Sequence, residues 1–583
     1  MQALVVSVQA ETGQAVTAGQ TLVILEAMKM EHIVSAEQSG VVVRVLVEAE
    51  AMVSAGEPLV LLERAEHGET GEEAEEQVSL DEVRPDLAEV IERHAFGLDE
   101  NRPDAVAKRR RTGQRTAREN IADLIDDGSL VEYGALVIAA QRRRRSIEDL
   151  IERTPADGMV AGVARVNREA FGDARTQCVV MSYDYTVLAG TQGTMNHLKK
   201  DRMLEVAEQQ GLPVVLFAEG GGGRPGDTDH AIVAGLDCRA FQYFAELSGQ
   251  VPLVGVASGR CFAGNAALLG CCDVVIATRA SNIGMGGPAM IEGGGLGVVT
   301  PEQIGPSEPQ YRNGVIDILV DDDAQAVAAA KKYLSYFQGE LAAWDCADQR
   351  LLRSAIPENR LRVYEVREVI ELLADAGSVL ELRGGFGAGM VTALARVEGK
   401  PIGIIANNPM HLGGAIDGEA ADKASGFMKR CSTFGVPLVF LCDTPGFMVG
   451  PEAEETGLVK RAAKLFTTGA ALEVPFCTVV LRKGYGLGAQ SMAGGSFKAP
   501  VFTISWPTGE FGGMGLEGAV KLGMRKELAA VEDPKAREAM FQQMVDVMYE
   551  RGKALNMAAH FEIDAVIDPV ETRRWILSAI AGA

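Results

Sequence analysis

The first 63 residues alternate short apolar runs with glycine-containing turns, a pattern typical of β-strands joined by tight turns. Residues 5–8 return as residues 42–45, and positions 16, 18, 19, 22 and 26 return in the same way, always 37 positions later. Such a repeat indicates two copies of one unit that share a core. We therefore predict that residues 1–63 form a small, two-fold symmetric all-β sandwich or flattened barrel.

A lysine lies between the two copies, in the segment E-A-M-K-M-E at residues 26–31. Lys29 at a tight turn is exposed and spatially fixed, as a modifying enzyme requires, although an ordinary hairpin with an exposed lysine has the same pattern. The A-M-K-M sequence closely resembles the biotinylation motif of biotin carboxyl carrier domains, whereas related lipoyl domains usually have an acidic residue where Met28 stands. The resemblance implies covalent biotin on Lys29, attached by a biotin protein ligase. It also leaves open whether the first strand is short or truncated.

Residues 64–82 are rich in glutamate and poor in apolar residues. Low hydrophobicity and repulsion between like charges predict an acidic flexible linker that lets the preceding domain move between sites.

From about residue 83 the apolar runs alternate with helical stretches. Residues 211–219 match residues 435–443, which lie 224 positions later, and the glycine turn at 259–265 matches that at 482–488. Helix, buried strand, glycine turn and helix in that order indicate βαβ units of an α/β fold. We predict two similar α/β domains, at residues 83–345 and 346–583.

Composition excludes several classes of protein. The formal net charge of -24 argues against nucleic acid as a main partner, and 9 Cys with 7 scattered His predict neither a zinc site nor a disulfide framework. No apolar run or leader pattern predicts a membrane span or signal peptide, so we expect a cytoplasmic protein. The basic runs 108–111 and 142–145 are interpreted either as sites for an anionic ligand such as CoA phosphates or as solvated faces.

Glycine turns after buried strands can cradle phosphate, allow close packing, or present backbone N–H groups to an oxyanion. The sequence lacks a phosphate-binding G-x-x-x-x-G-K-[ST] motif and a G-x-G-x-x-G motif in a dinucleotide-binding context. Two such turns at matching positions of a repeat favour the oxyanion interpretation over packing alone.

From the G-Q-R-T-A-R-E-N-I segment at 113–121 to about residue 523, the chain resembles the carboxyltransferase subunits of propionyl-CoA, methylcrotonyl-CoA and related acyl-CoA carboxylases. The resemblance implies two crotonase-like domains, with the active site between the N-domain of one protomer and the C-domain of its dimer partner. It also implies a homodimer or homohexamer, an acyl-CoA substrate, and a biotin carboxylase subunit that loads biotin using ATP and bicarbonate.

The same resemblance assigns the candidate catalytic residues. The backbone N–H groups of Ala263 and Gly264 would stabilise the enolate oxygen of the acyl thioester, and those of Leu487 and Gly488 the ureido oxygen of biotin. Carboxyl transfer would then run from carboxybiotin on Lys29 to the activated carbon of the acyl-CoA, with the freed ureido nitrogen taking the proton. No side-chain base and no metal is needed in this scheme.

Several alternatives remain open at the level of sequence. A biotin-dependent decarboxylase or transcarboxylase acting on malonyl-CoA or methylmalonyl-CoA has the same motifs, and a non-catalytic carrier or scaffold is a third interpretation. His411 and Tyr485 are either acid–base residues or structural ones. The segment 219–224 departs from the family's usual pattern, so the sequence does not identify the acyl group.

Overall fold

The computed structural model describes residues 2–64, 81–224, 226–229 and 235–580. The chain divides into two compact units, residues 1–88 and 89–583. Most of the predicted acidic linker, residues 65–80, lies outside the described residues.

Residues 2–64 of the first unit are all β, as predicted. Its strands are β1 (Gln2–Val8), β2 (Ala15–Val16), β3 (Thr21–Ala27), β4 (Met30–Ser35), β5 (Gly40–Val45), β6 (Met52–Ser54) and β7 (Val60–Arg64). They form two antiparallel sheets with strand orders β4-β3-β1-β6 and β2-β5-β7. Val5 and its repeat partner Val42 are both buried in the shared core, as are Val16 and Val53. The two copies of the sequence repeat therefore fill one core.

The second unit contains two mixed sheets. The strands of the first sheet and its flanking ribbon are β8 (Val131–Glu132), β9 (Met159–Arg165), β10 (Gln177–Tyr183), β11 (Val214–Phe217), β12 (Leu253–Ala257), β13 (Arg260–Phe262), β14 (Val274–Thr278), β15 (Asn282–Gly284) and β16 (Ile318–Val320). Those of the second are β17 (Leu380–Leu382), β18 (Met390–Val397), β19 (Lys400–Asn407), β20 (Leu438–Thr444), β21 (Phe476–Tyr485), β22 (Thr503–Ser505), β23 (Glu510–Gly512) and β24 (Ala565–Val566).

In the described part of the chain, the α-helices all begin at residue 85 or later. Up to residue 345 they are α1 (Pro85–Ala95), α2 (Pro103–Arg110), α3 (Ala117–Leu124), α4 (Ile147–Arg153), α5 (Arg168–Phe171), α6 (Thr194–Gln210), α7 (Ala240–Glu246), α8 (Gly264–Gly270), α9 (Pro288–Gly293), α10 (Ser307–Arg312) and α11 (Asp323–Ser335). Beyond it they are α12 (Val366–Leu373), α13 (Gly418–Thr433), α14 (Pro451–Glu455), α15 (Leu458–Ala470), α16 (Gly486–Ser491), α17 (Leu516–Gly523), α18 (Arg525–Ala530), α19 (Pro534–Arg551), α20 (Ala554–Ala559) and α21 (Thr572–Ile580).

We call residues 83–345 the first repeat and residues 346–580 the second repeat, because their sheets have the same topology. The first sheet has the order β16-β14-β12-β11-β10-β9-β8 and is parallel from β10 to β16. The second has the order β17-β18-β19-β20-β21-β22-β24 and is parallel from β19 onward. One hydrophobic core contains residues of both repeats. Ligands of such sheets bind beyond the carboxyl ends of the strands, which is where the glycine turns lie.

No helix in the described ranges combines the length and apolarity needed to cross a bilayer. The cytoplasmic location stays a prediction.

Candidate active site

Lys29 lies at the tip of the hairpin between β3 and β4. Ala27 pairs with Met30 across the hairpin, so the turn consists of Met28 and Lys29 alone, with φ values of 54° and 65°. Two consecutive positive φ values define the type I′ turn, which matches the twist of the flanking strands but strongly prefers Asn-Gly. Each side chain in this conformation costs about 1–2 kcal/mol. Met28 and Met30 are 85% and 67% exposed, so the hairpin presents Lys29 between two solvated thioethers.

The first glycine turn joins β13 directly to α8 through Ala263. Ala263 has φ 52° and ψ -123°, angles normally reserved for glycine. Its N–H donates to the carbonyl of Gly284 at 3.0 Å, because β13 pairs in parallel with β15 and Phe262 is in register with Gly284. The Ala263 N–H, predicted as an oxyanion donor, is therefore already used within the sheet. The Gly264 N–H opens α8 and has no hydrogen-bond partner among the described residues.

A second donor comes from the turn after β11, which sequence reasoning did not assign. Gln192 donates its N–H to the Gly222 carbonyl at 3.1 Å and accepts from the Arg224 N–H at 2.8 Å. This parallel bridge turns the N–H of Gly223 to the opposite side, where no described residue accepts it. A Cβ on Gly222 would lie 2.8 Å from the Ala263 Cβ and 3.8 Å from the Gly264 nitrogen. The free N–H groups of Gly223 and Gly264 therefore belong to adjoining turns.

The second repeat reproduces this bridge 224 positions later. Ile416 donates its N–H to the Gly446 carbonyl at 3.0 Å and accepts from the Met448 N–H at 2.9 Å. Phe447 is thus the counterpart of Gly223, and its N–H has no partner in the described part of the chain. The signal in the sequence for the N–H groups of Gly223 and Phe447 was the glycine run at 220–223, which the 224-residue offset matches with residues 444–447.

Helix α16 begins next to this second bridge. Gly486 has φ 54° and is the counterpart of Ala263, so Leu487 corresponds to Gly264. The predicted donors Leu487 and Gly488 both lie in the first turn of α16, and within the described ranges neither N–H has a partner. A Cβ on Gly488 would lie only 2.6 Å from the Gly446 Cα, so α16 packs directly against the turn that carries Phe447. The Leu487 side chain is 63% exposed.

A buried acidic residue stands behind each turn, at equivalent positions. Glu219 accepts two hydrogen bonds from the Arg109 guanidinium, at 2.7 and 2.6 Å. Asp443 accepts from Arg482 at 3.1 Å and from the backbone N–H of Lys483. Burial raises the pKa of Glu219 to about 7, while Arg109 opposes that rise. These pairs fix the strand ends from which the turns depart.

Side-chain amides hold the first turn in place. Gln192 Nε2 donates to Asn265 Oδ1 at 2.5 Å, and Asn265 Nδ2 donates to the carbonyl oxygens of Glu219 and Gly190 at 2.6 and 3.2 Å. Asn265 is fully buried in the first turn of α8. Its bonds therefore tie the start of the helix to the turn after β11.

The other predicted candidates have structural partners. Tyr485 is buried and donates its hydroxyl to Glu510 at 2.9 Å, and burial raises the pKa of that phenol. His411 Nε2 lies 3.3 Å from Asp417 Oδ2. In the basic run 108–111, Arg109 serves the buried pair described above and Arg110 pairs with Glu119.

Comparisons with known proteins give two family matches for this chain. Residues 108–582 match the family described as carboxyl transferase domain, and residues 1–62 match the family described as biotin-requiring enzyme. The chain is 33% identical over 494 residues to the methylmalonyl-CoA carboxyltransferase 12S subunit of Propionibacterium freudenreichii subsp. shermanii, covering 82% of this chain and 90% of that one. It is 32% identical over 518 residues to the biotin-dependent long chain acyl-coenzyme A carboxylase beta4 subunit of Mycobacterium tuberculosis, covering 84% and 92%.

Two solved structures extend the similarity to the fold. A single-chain, multi-domain long-chain acyl-CoA carboxylase is 57% identical, with a TM-score of 0.83 over 99% of this chain. The present chain spans 55% of that protein's length. The transcarboxylase 12S structure is 30% identical, with a TM-score of 0.73 over 87% of this chain and 96% of that one. The chain therefore belongs to the biotin-dependent carboxyltransferase family of the acyl-CoA carboxylases and transcarboxylases, and it carries a biotin-attachment domain ahead of its two crotonase-like repeats.

Proposed function

We propose that the chain is the carboxyltransferase and carrier part of an acyl-CoA carboxylase, moving a carboxyl group from biotin on Lys29 to the activated carbon of an acyl-CoA. One observation carries the proposal: both repeats leave at least two N–H groups unpartnered, among the described residues, where a glycine turn meets the start of a helix. Carboxyl transfer between biotin and a thioester develops negative charge on two oxygens, one in each reactant. Two equivalent sets of donors fit that requirement better than one.

Lys29 is the residue we assign to biotin attachment. The type I′ turn places its ammonium at the far end of a rigid two-strand hairpin, and the exposed Met28 and Met30 leave room for a ligase to approach. When attached, biotin supplies the carboxyl group to be transferred. The residues present fit the group, since a solvated amine is needed to form the amide bond.

In the first repeat, Gly223 and Gly264 would donate their N–H groups to the thioester oxygen as the neighbouring carbon loses its proton. Gly264 replaces Ala263 as the leading candidate of the predicted pair, because the Ala263 N–H is bonded to Gly284. Loss of one such donor in other enzymes typically lowers kcat by about 10²–10³-fold.

In the second repeat, Leu487 and Gly488, with Phe447 from the adjoining turn, would stabilise the ureido oxygen of biotin. Their N–H groups are fixed by backbone packing, since α16 lies against Gly446 with no room for a side chain at Gly488. Donors held in this way need no reorganisation during the reaction.

We infer that the acyl group is long. The long-chain carboxylase structure combines 57% identity with coverage of 99% of this chain, well above the identity to the relatives named for methylmalonyl-CoA. The match to that protein also favours a biotin carboxylase activity working with this chain, on the same polypeptide or on a separate subunit.

Exposed apolar side chains at both turns favour a homodimer or homohexamer in which a turn of one protomer faces its partner. In the first repeat Met285, Leu296 and Val298 are 72%, 79% and 81% exposed, and Met285 directly follows the Gly284 that accepts from Ala263. In the second repeat Leu487 and Val449 are 63% and 81% exposed. Removing such side chains from water would stabilise an interface.

The test is fixation of labelled bicarbonate by the complex purified from its host, with ATP and a panel of acyl-CoAs from acetyl to long-chain. We expect label in the long-chain acyl-CoA, and complete loss of both biotin and label in Lys29→Arg. Lys526→Arg, also at an exposed lysine, is the control and should keep both. Label in a short-chain acyl-CoA alone would contradict the chain-length inference, and label that persists in Lys29→Arg would contradict the assignment of biotin.

The second candidate function is a transcarboxylase or a decarboxylase. It is favoured by the 33% identity to the methylmalonyl-CoA carboxyltransferase subunit over 90% of that subunit's length. No fixation with any acyl-CoA, together with loss of the carboxyl group from methylmalonyl-CoA or malonyl-CoA, would establish it.

A further inference from the structure

A buried lysine stands at the end of a series of hydrogen bonds that leads to the first glycine turn. Lys200 lies in α6 and is 1% exposed. Its Nζ is 2.9 Å from the Tyr183 hydroxyl oxygen, which is 3.0 Å from Nε2 of Gln192. Gln192 Nε2 also donates to Asn265, the residue that follows Gly264 in α8. We call these four buried side chains, from Lys200 to Asn265, the Lys200 network.

Gln192 connects the network to both candidate donors of the first turn. Its backbone makes the parallel bridge that leaves the N–H of Gly223 free of partners among the described residues. Its side chain holds Asn265, and with it the start of α8, where the N–H of Gly264 lies. A change in the position of the Gln192 amide would therefore affect both donors.

The directions of these hydrogen bonds determine where the protons lie. Asn265 Nδ2 gives both of its protons to backbone carbonyl oxygens, so its Oδ1 has to accept from Gln192. Gln192 Nε2 gives its other proton to the Tyr183 oxygen, and burial raises the pKa of that phenol, which keeps its own proton. The Tyr183 proton therefore needs an acceptor, and the group within reach in the described part of the chain is Lys200 Nζ. An ammonium has three donors and no acceptor, so the uncharged amine completes the network.

The surroundings of Lys200 also favour the uncharged amine. It has no salt-bridge partner among the described residues, and burial lowers its pKa to about 7, although Cys238 and Asp201 oppose that shift. The other titratable groups nearby are His197, one turn earlier in α6, and Cys261 on β13. Burial lowers the pKa of His197 to about 3 and raises that of Cys261, so both are uncharged around neutral pH.

The second repeat lacks this network, although it has the same sheet and the same turns. The residues at the equivalent positions, 223 or 224 residues later, are Asn407, Ile416, Ala424 and Gly488. Three of these four have no side chain that can form a hydrogen bond. The fold alone therefore does not require the Lys200 network, which occurs in the repeat that we assign to the acyl thioester.

We propose that Lys200, in its uncharged form, is a positioning residue that acts through the Lys200 network to hold the donors of the first turn in place for an acyl thioester. Protonation of Lys200 would remove the acceptor for the Tyr183 proton. That proton would then turn toward Gln192 and break the bond between Gln192 and Asn265. The role in carboxyl transfer rests on the proposed function, whereas the uncharged state of the lysine does not.

The first experiment follows a single turnover, in which label on carboxybiotin passes to the acyl-CoA that the purified complex carboxylates best. Loading the biotin beforehand excludes the pH dependence of the biotin carboxylase step. We expect the rate to level off above about pH 8 and to fall about tenfold between about pH 8 and about pH 6, because the uncharged fraction of Lys200 falls by that factor.

Substitutions at Lys200 separate the uncharged amine from a required cation. Lys200→Arg carries a permanent charge and should lower the single-turnover rate at least about tenfold across this pH range. Lys200→Met has no proton to gain and should remove the pH step. Lys199→Met is the matched control, because Lys199 is also buried in α6 but donates to the carbonyl oxygens of Gly134 and Met159, at 3.1 and 2.5 Å. It should keep the pH step.

The second experiment needs no catalysis. The pKa of Lys200 is about 10.4 in the unfolded chain and lower in the folded protein, so the unfolded state binds more protons between about pH 7 and about pH 10. The stability of the unsubstituted protein relative to Lys200→Met should therefore rise over this range and be constant below about pH 7. Thermal unfolding followed by circular dichroism measures the difference.

Full activity of Lys200→Arg would overturn the proposal, because a cation would then serve as well as the amine. An unsubstituted complex whose single-turnover rate is the same at about pH 8 and about pH 6 would also overturn it, and that comparison needs no variant to fold. If the complex transfers label to no acyl-CoA, the proposed function fails. The stability difference then decides the state of Lys200, since a difference that does not change with pH would mean that the lysine is charged.

Discussion

The two glycine turns share one backbone path but differ in the two residues that begin their helices. In the first repeat an alanine occupies the positive-φ position and a glycine follows, whereas in the second repeat Gly486 and Leu487 take those places. The glycine therefore follows the positive-φ position in the first repeat and occupies that position in the second.

This exchange separates the constraint that the backbone imposes from the position that varies between the repeats. Both copies keep φ near 50° at the junction of strand and helix, so the sharp turn itself is required by the fold. The next position is free to vary: Gly264 faces Gln192 Oε1 and Phe241, while Leu487 points an exposed side chain outward. We interpret the first turn, which has no side chain at Gly264, as suited to a planar thioester and the leucine as an apolar contact for the other reactant.

The largest expected effect is on the buried ion pairs behind the turns. Removing one charge of a buried pair costs about 3–5 kcal/mol, because the partner stays buried and unpaired. Asp443→Asn should cost more than Glu219→Gln, since Asp443 faces both Arg482 at 3.0 Å and the Lys483 ammonium at 3.5 Å, whereas Glu219 has one cationic partner, Arg109, among the described residues. Thermal unfolding followed by circular dichroism measures both.

Glu308→Gln is the control for these substitutions. Its partner Arg279 and Glu308 itself are more than half exposed, so its loss should cost below about 1 kcal/mol. Equal destabilisation by all three variants would mean that the pairs behind the turns are no better buried than a surface pair.

The next effect concerns the space at each helix start. A Cβ on Gly488 would lie 2.6 Å from the backbone of Gly446, which has to shift, whereas at Gly264 the nearest atom is the end of the Gln192 side chain at 2.8 Å. We expect Gly488→Ala to lower kcat by about 10²–10³-fold, as loss of an oxyanion donor does, and Gly264→Ala to lower it less. Initial rates of label transfer measure both.

Gly270→Ala, at the other end of α8, is the matched control, since a Cβ there meets nothing within 4 Å. A loss of activity in Gly264→Ala that equals or exceeds the loss in Gly488→Ala would contradict this prediction. It would mean that the end of the Gln192 side chain yields no more easily than the backbone of Gly446.

The sequence predicted the hairpin better than it predicted which backbone N–H groups are free of partners, for a physical reason. Lys29 and the repeat around it depend on local pattern: a two-residue turn between two strands. The donors depend on pairings between distant segments. Gly223 is freed by its bridge to Gln192, and the N–H of Ala263 is used up by Gly284 through the pairing of β13 with β15. Neither pairing is visible in the local sequence. The sequence did reveal the offset of 224 residues between equivalent strands.

The smallest effect tests the strained position itself. Ala263→Gly removes a side chain at φ 52°, which should raise the free energy of unfolding by about 1–2 kcal/mol. Glycine also makes the unfolded chain more flexible, which should lower that free energy by about 0.5–1 kcal/mol. The net result should be unchanged or slightly greater stability. Gly486→Ala should instead be destabilising, because its Cβ would also lie 2.8 Å from the Gly513 carbonyl oxygen. Unfolding curves of the two variants, measured side by side, check the sign of each change in stability. A destabilised Ala263→Gly would contradict the prediction and would show that the alanine methyl stabilises the protein by packing against the Gly222 turn.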